Sequence, residues 1–286
     1  MTCSDIAPRV NIHILDWMAR YTTSLVGFYD ILAFSDFVAR GDASVVHTLF
    51  SKIRDNFSFA ADARKTFGQR FSHFSDTVVR TTPFTLRGKA NDSGMFFHEL
   101  LDAARFQIEM TWKKLALVRG AITYGDVYHK KDGLFGPAVI DAYRLEQDVA
   151  IYPRIVVDPR LLAEFEKNPA LRSWHNPLKY EREHCYDLLR RGDDGIWFVD
   201  YLDVAREEND DVELYPELIH RHKQTILDGI AGTRLTRVVQ KYTWLANYHN
   251  VVVAENKRVL ASLGAEADDL LITSKEVPLS FERPED

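Results

Sequence analysis

The 286-residue sequence has few cysteines and no long apolar run. Its two cysteines, Cys3 and Cys185, are too few for a disulfide framework and fit no zinc-binding motif. No segment approaches the ~18 consecutive apolar residues that a membrane span requires. The first residues lack the basic and apolar segments of an export signal. From these absences we expect a cytoplasmic protein that does not associate with a membrane.

Other functional classes are excluded by missing motifs. The phosphate-binding loop of P-loop NTPases, G-x-x-x-x-G-K-[ST], does not occur, and no local motif supports a serine or cysteine hydrolase. The formal net charge is −6. This charge argues against a nucleic-acid partner, because proteins that bind nucleic acids present an excess of basic residues.

What the sequence does contain is a pair of acidic residues inside apolar, strand-like segments. Asp30 lies inside the run from Leu25 to Ser35, and Asp76 lies inside the segment from Phe71 to Val79. A lone carboxylate in such a place is costly unless something pairs with it. Two of them favour a shared pair of hard cations that hold a triphosphate. The alternative is that each acid is tied separately to a nearby arginine or to backbone amides.

Hydrophobic periodicity predicts a mixed α/β fold. The predicted order β-α-β-β-α-β-α-β resembles a ferredoxin-like split βαβ sheet, and we expect a short lead-in (1–22), a catalytic core (23–165) and a C-terminal extension (166–286) of one strand and helices packed on the core. The predicted strands are 23–34, 70–74, 77–84, 118–129, 155–158 and 197–201. The predicted helices cover 37–49, 95–117, 136–145, 215–231 and 233–263, with one more starting at Pro159, and 168–195 is predicted to be an irregular surface connection.

Four segments resemble the motifs of class III nucleotide cyclases, in the family's order. The first runs from Phe28 to Ser35 and differs from the family pattern at Ala33, where glycine is usual. The second is Ser75-Asp76 at a hairpin bend. The third begins with Arg119 and ends at Gly125, and the fourth begins with Gly136 and includes Arg144. Together they cover about residues 23–160.

This resemblance implies a set of roles. Asp30, Asp76 and the Ile31 carbonyl would bind two Mn²⁺ or Mg²⁺ ions per site. Arg119 would hold the β- and γ-phosphates, for which a guanidinium fork is suited, and Arg144 would stabilise charge at the α-phosphate. The remaining substrate-binding positions implied are Phe34, Ser35, Ser72 and Leu134. In the family Arg144 belongs to the partner subunit, which implies a homodimer with shared sites; the alternative is a surface arginine paired with Glu146 or Asp148.

Three departures from the family pattern concern the nucleotide. Ile140 replaces the asparagine expected four residues before Arg144, so the amide that would orient the ribose is missing unless Asp141 or another group replaces it. Ser72 stands where the family reads adenine with lysine or guanine with glutamate. Gly133 occupies the second purine-reading position. Neither purine code is therefore present.

A subgroup of the family fits these departures: the chain resembles the pyrimidine cyclases of bacterial Pycsar anti-phage systems. They share the Ser75-Asp76-Thr77 sequence and a tail element that runs here from Lys241 to Asn250. This resemblance implies conversion of UTP to cyclic UMP, which activates a separate effector. The alternatives are CTP and cyclic CMP, an ordinary adenylate or guanylate cyclase, or a catalytically dead nucleotide-binding homologue. The aromatic residues of the tail element are expected to serve packing.

Overall fold

The computed structural model describes residues 20–32, 34, 38, 42–44, 47, 51, 68–84, 94–207 and 212–277. Residues 1–19 of the predicted lead-in and most of the helix predicted over 37–49 lie outside the described residues, as does Ser35.

The described strands form a single mixed sheet. Its strand order is β2-β3-β1-β4-β6-β8-β7. In addition, β5 pairs with the C-terminal end of β4. Only β4 and β6 are parallel; the other neighbours in the sheet are antiparallel. The strands are β1 (Thr22–Ile31), β2 (Arg70–Phe74), β3 (Thr77–Pro83), β4 (Val118–Lys130), β5 (Gly133–Phe135), β6 (Ile155–Val157), β7 (Leu189–Arg191) and β8 (Trp197–Val199).

Helices cover both faces of this sheet. Those in the described part of the chain are α1 (Met95–Trp112), α2 (Pro137–Asp148), α3 (Pro159–Lys167), α4 (Leu178–Asp187), α5 (Tyr201–Glu207), α6 (Tyr215–Ala231), α7 (Thr236–Glu255), α8 (Lys257–Ser262) and α9 (Ala267–Leu270). α1 packs against α5 and α6, whereas α2 packs against β1 and β4. No helix among these is long and apolar enough to cross a bilayer.

The central part of the sheet is a split βαβ unit. β3 and β4 are connected through α1 and run parallel, with β1 inserted between them and antiparallel to both. Arg80 of β3 is buried and forms ion pairs with Glu99 and Asp102 of α1, at 2.9 and 2.7 Å. These contacts attach the crossover helix to the strand that precedes it. The predicted α/β fold class is confirmed, as is the hairpin with Asp76 at its bend.

Alternating side chains of β1 enter two different cores. Leu25, Tyr29 and Ile31 belong to the main core, which also receives α1 and the C-terminal helices. Val26 and Phe28 point to the other face, into a smaller cluster beneath α2. Because residues two apart in a strand share a face, Asp30 lies on the same face as Val26 and Phe28.

The second half of the chain differs from the sequence prediction in several places. The segment 168–195 is not irregular, since it contains α4 and β7; α4 buries Cys185 in the main core. The strand predicted over 197–201 ends at Val199, and the C=O of Asp200 accepts from the first turn of α5. α1 ends at Trp112 rather than residue 117, with Lys114 at a φ of 49°.

Two further differences concern the extension. The helix predicted over 233–263 is divided at Asn256 into α7 and α8, and the Asn256 amide donates to the Val252 C=O and to Asp203. β7 and β8 extend the core sheet directly through β6. The boundary between residues 165 and 166 stays a prediction.

Candidate active site

One face of the sheet carries most of the candidate residues. Asp30 pairs in register with Thr77 of β3 and with Arg119 of β4. Side chains of directly opposed residues project to the same face. Counting in steps of two along β3 and its register with β2 puts Ser72 on this face as well. The fold therefore brings residues of β1, β2, β3 and β4 to one surface.

The first part of the site is a buried cluster of one arginine and two acids. Arg119 Nε donates to Asp30 Oδ2 at 2.9 Å and lies 2.6 Å from Glu146 Oε1. That Glu146 oxygen is buried and makes no hydrogen bond, because its geometry towards Nε is unsuitable. Burial raises the pKa values of both Asp30 and Glu146, against the opposing charge of Arg119. The cluster holds more acid than its arginine satisfies.

Asp76 lies next to this cluster, at the bend between β2 and β3. The Ile31 N–H donates to the Asp76 C=O at 3.1 Å, which attaches the end of β1 to the bend. The Asp76 charge contributes to the raised pKa of Asp30, after burial. No described residue donates a hydrogen bond to the Asp76 carboxylate, so this acid remains available to a cation.

These residues fit a magnesium or manganese site of one particular kind. Within the described ranges, no three or more His, Cys, Asp or Glu side chains surround a common point. A cation here would therefore receive Asp30, Asp76 and the Ile31 carbonyl from the protein, and other oxygens from water and phosphates. Mg²⁺ is usually bound in that way, through one or two carboxylates and substrate phosphates.

Arg144 lies on α2 but faces away from this cluster. α2 starts after Gly136, whose φ of 147° suits glycine, with Pro137 at the first helical position. Glu146 faces the cluster, and residues two apart on an α-helix differ by roughly 200° in direction. Arg144 is exposed and forms no ion pair with any described residue, so the alternative pairing with Glu146 or Asp148 is not observed.

Exposed apolar side chains accompany Arg144 on α2. Ile140 precedes it by one helical turn and is 52% exposed, and the adjacent Tyr143 is 50% exposed. Asp141, considered as a substitute for the missing asparagine, is occupied by an ion pair with Arg160 at 3.0 Å. The outer face of α2 therefore combines Arg144, which forms no ion pair with any described residue, with exposed apolar side chains.

A second polar group lies further along the same face. Ser72 Oγ is 2.8 Å from His129 Nε2, and Thr81 Oγ1 is 2.8 Å from His129 Nδ1. Leu134 of β5 pairs in register with His129. Burial, and then the nearby Arg70 guanidinium, lowers the pKa of His129 to about 4, so the ring is neutral at pH 7. Two of the predicted substrate positions, Ser72 and Leu134, are thus joined through His129.

The sequence interpretation missed His129 because its partners are distant in sequence. The length of β4 was the available signal. This 13-residue strand extends past the start of β1, so that His129 near the end of β4 approaches β2 and β3. Of the other predicted substrate residues, Phe34 is buried in the main core, and Ser35 lies outside the described residues.

The C-terminal extension reaches the same region through Lys241. This residue of α7 is half-buried; burial and the charge of Arg119 lower its pKa, against the attraction of Asp30 and Glu146. One turn later, Trp244 stacks on Tyr152 in the segment before β6. The aromatic residues of the tail element therefore pack as predicted, and Lys241 shares the electrostatic environment of the cluster.

Comparison with known proteins gives distant similarities. The chain matches no protein-family model and no curated protein. It is similar to the structure of a bacterial light-regulated adenylyl cyclase, with 17% identity, a TM-score of 0.34, and coverage of 49% of this chain and 77% of that chain. It is also similar to a class III adenylyl cyclase-like ATP-binding protein from Pseudomonas aeruginosa, with 11% identity, a TM-score of 0.34, and coverage of 86% and 72%. Both likenesses are distant, and neither decides what this chain binds or which reaction it catalyses.

Proposed function

We propose that this chain is a class III nucleotide cyclase that converts UTP to cyclic UMP and pyrophosphate. The observation that supports this most is the closeness of Asp30, at the end of β1, to Asp76 in the adjoining bend, beside Arg119. The resemblance of four motif segments to the family assigns these three residues to metal and triphosphate binding. The anti-phage role and the separate effector rest on the sequence resemblance alone, whereas the cytoplasmic location is proposed from the low cysteine content and the lack of a long apolar run.

The reaction forms a bond from the ribose 3′-oxygen to the α-phosphorus and breaks the bond to the β-phosphate, so that pyrophosphate leaves and the 3′ proton passes to solvent. Two Mn²⁺ or Mg²⁺ ions held by Asp30, Asp76 and the Ile31 carbonyl would supply acidification of the hydroxyl and neutralisation of the leaving phosphates. Arg119 uses Nε on Asp30, and its Nη groups donate to no described residue. Those groups are free to hold the β- and γ-phosphates.

Arg144 would act on the site of a second subunit. It is exposed and points away from the cluster of its own chain, which supports a role in the site of another molecule. The apolar side chains of Ile140 and Tyr143 beside it provide surface for a homodimer contact. A two-fold arrangement would place each Arg144 at the partner's α-phosphate and generate two equivalent sites.

A pyrimidine substrate is favoured by the residues at the far end of the face. Ser72 and Gly133 replace the groups that read purines in the related family. A site that reads a purine through polar groups rejects other bases because its own groups are left unpaired. This chain lacks those groups, and the small side chains there impose no such penalty on UTP.

Purified protein with equimolar ATP, GTP, UTP and CTP and either Mn²⁺ or Mg²⁺ tests the proposal, with the cyclic products read by mass spectrometry. We expect metal-dependent cyclic UMP, with kcat/KM for UTP at least about tenfold above either purine, which corresponds to about 1.4 kcal/mol. Mainly cyclic AMP or cyclic GMP would leave a cyclase of another specificity. No cyclic product at all would contradict the enzymatic assignment.

A further inference from the structure

We propose that Thr81 and His129 are positioning residues that fix the Ser72 hydroxyl as a hydrogen-bond donor towards the bound base, and that this polarity selects a keto base over its amino counterpart. The inference rests on the proposed function, because it requires a nucleotide base at Ser72. It adds a reason for preferring uracil to cytosine, which the sequence does not supply.

The direction of the hydrogen bonds begins at Thr81. Its side chain is 2% exposed, and its hydroxyl has His129 Nδ1 as its only hydrogen-bond partner among the described residues. A buried hydroxyl proton without an acceptor costs about 1–3 kcal/mol. The Thr81 O–H therefore donates to Nδ1, which must then be the unprotonated nitrogen of the neutral ring.

The tautomer of His129 then fixes the direction of the hydrogen bond to Ser72. A neutral imidazole has one donor and one acceptor nitrogen, so Nε2 of His129 carries the proton and donates to Ser72 Oγ over 2.8 Å. No other described residue accepts from the Ser72 hydroxyl. Its proton is left for a ligand, and Ser72 is half-buried rather than sealed in the core.

This polarity distinguishes the bases at the position where they differ. Uracil carries a carbonyl oxygen at ring position 4, whereas cytosine carries an amino group there; guanine and adenine differ in the same way at position 6. The Ser72 O–H donates a hydrogen bond to a carbonyl oxygen. An amino group is itself a donor, so beside an amino group the Ser72 proton has no acceptor.

The tautomer of His129 is testable without any substrate. Nitrogen-15 NMR of the histidine rings in the full-length protein at pH 7 should show His129 as the neutral Nε2–H form, identified by the signal that disappears in His129→Gln. A ring protonated at Nδ1, or a charged imidazolium, would overturn the proposal.

The selectivity is tested with an isosteric variant and a matched control. Thr81→Val removes the hydroxyl but keeps the shape, whereas Thr81→Ser keeps the hydroxyl. With equimolar UTP and CTP, Thr81→Val should lower the ratio of cyclic UMP to cyclic CMP at least about fivefold, the effect of one unpaired group, and Thr81→Ser should retain the wild-type ratio. Because a ratio is measured, loss of folded protein cancels.

The outcomes separate this inference from the assignment of a cyclase. If the wild type makes cyclic products but Thr81→Val leaves the ratio unchanged, the positioning role is wrong and the cyclase assignment stands. If no variant makes any product, the cyclase assignment fails, and dissociation constants of UTP and CTP for the same proteins, measured in the presence of Ca²⁺, decide the selectivity instead. Equal UTP/CTP ratios of these constants in wild type and Thr81→Val would overturn the proposal.

Discussion

Two clusters of polar side chains in this molecule differ in burial and in hydrogen bonding. The acid–arginine cluster (Asp30, Asp76, Arg119 and Glu146) lies on the sheet face beneath α2. The histidine chain (Tyr201, His222, His249 and the Leu270 C=O) lies among the C-terminal helices. Both gather several ionisable side chains, yet only the histidine chain, whose side chains are all buried, satisfies all its members. The difference supports the proposal that the acid–arginine cluster is the one that binds a ligand.

Every donor in the histidine chain meets an acceptor. His249 Nε2 donates to the Leu270 C=O at 2.9 Å, so its Nδ1 accepts from His222 Nδ1–H at 2.9 Å. His222 Nε2 then accepts from the Tyr201 O–H at 2.6 Å. Burial lowers the pKa of His249 to about 4 and lowers that of His222, so both rings are neutral at pH 7. A complete chain of this kind holds helices together.

The acid–arginine cluster is incomplete. One Glu146 oxygen is buried without a hydrogen bond, and no described residue donates to the carboxylate of Asp76. Burial raises the pKa values of Asp30 and Glu146, although the Arg119 charge acts to lower them. Added cations would pair with these acids, whereas nothing could be added to the histidine chain. A satisfied buried network thus indicates structure, and an unsatisfied one indicates a binding site.

Replacing either of the two acids proposed to bind metal should give the largest effect. Asp30→Asn and Asp76→Asn each remove a charge at nearly constant volume, so we expect cyclisation to fall at least about a thousandfold, roughly 4 kcal/mol of transition-state stabilisation. Initial rates over a range of Mn²⁺ concentrations measure this, and circular dichroism verifies the fold. Asp148→Asn, an exposed acid on α2, is the matched control and should keep wild-type activity. Unchanged turnover and metal dependence in either variant would refute the two-metal assignment.

Subunit exchange should then show whether Arg144 of one subunit completes the active site of the other. Arg144→Ala alone should be inactive, but mixed with Asp30→Asn it should form dimers with one intact and one doubly defective site. By this symmetry, up to about half of the wild-type activity per mixed dimer should return. The mixture of Asp30→Asn with Asp76→Asn has no intact site and should stay inactive. Proven exchange without recovery would argue against a shared site.

Breaking the histidine chain should reduce stability without changing the chemistry. His249→Leu leaves the Nδ1–H of His222 without an acceptor, and the free energy of unfolding in urea should fall by about 1–3 kcal/mol. The ratio of cyclic products should stay at its wild-type value. His220→Leu changes an exposed histidine two residues from His222 and should shift stability by less than about 0.5 kcal/mol. A changed product ratio in His249→Leu would connect the chain to the site.

An effect of similar size is expected in the pH dependence of stability. The unfolded chain protonates its histidines below about pH 6.5, whereas folded His249 resists protonation until about pH 4. The unfolded state therefore binds more protons in this range, and the free energy of unfolding should fall as the pH falls, by up to about 1.4 kcal/mol per pH unit for each such histidine. Urea titrations at pH 7, 6 and 5 should show a shallower slope in His249→Leu. An identical slope would mean that His249 also titrates in the folded protein.

The sequence by itself determined the α/β fold class, the hairpin with Asp76 at its bend, and Asp30 as a candidate site residue. These follow from local signals: alternation over a few residues, turn residues between apolar runs, and an acid where apolar residues are expected. The same signals failed over 168–195, where α4 and β7 are polar in sequence. Their order comes from contacts with distant elements, as when Cys185 enters the main core.

Only the tertiary structure decided the partners of the site. Glu146 meets Arg119, and His129 meets Ser72 57 residues away, because neighbouring strands and a covering helix bring them together. The direction of Arg144, away from its own cluster, follows from the rotation of α2 once Glu146 faces inward. The approach of Lys241 depends on how α7 packs. No local hydrophobic periodicity encodes these contacts between distant residues. They depend on strand register and helix packing, which are properties of the whole chain.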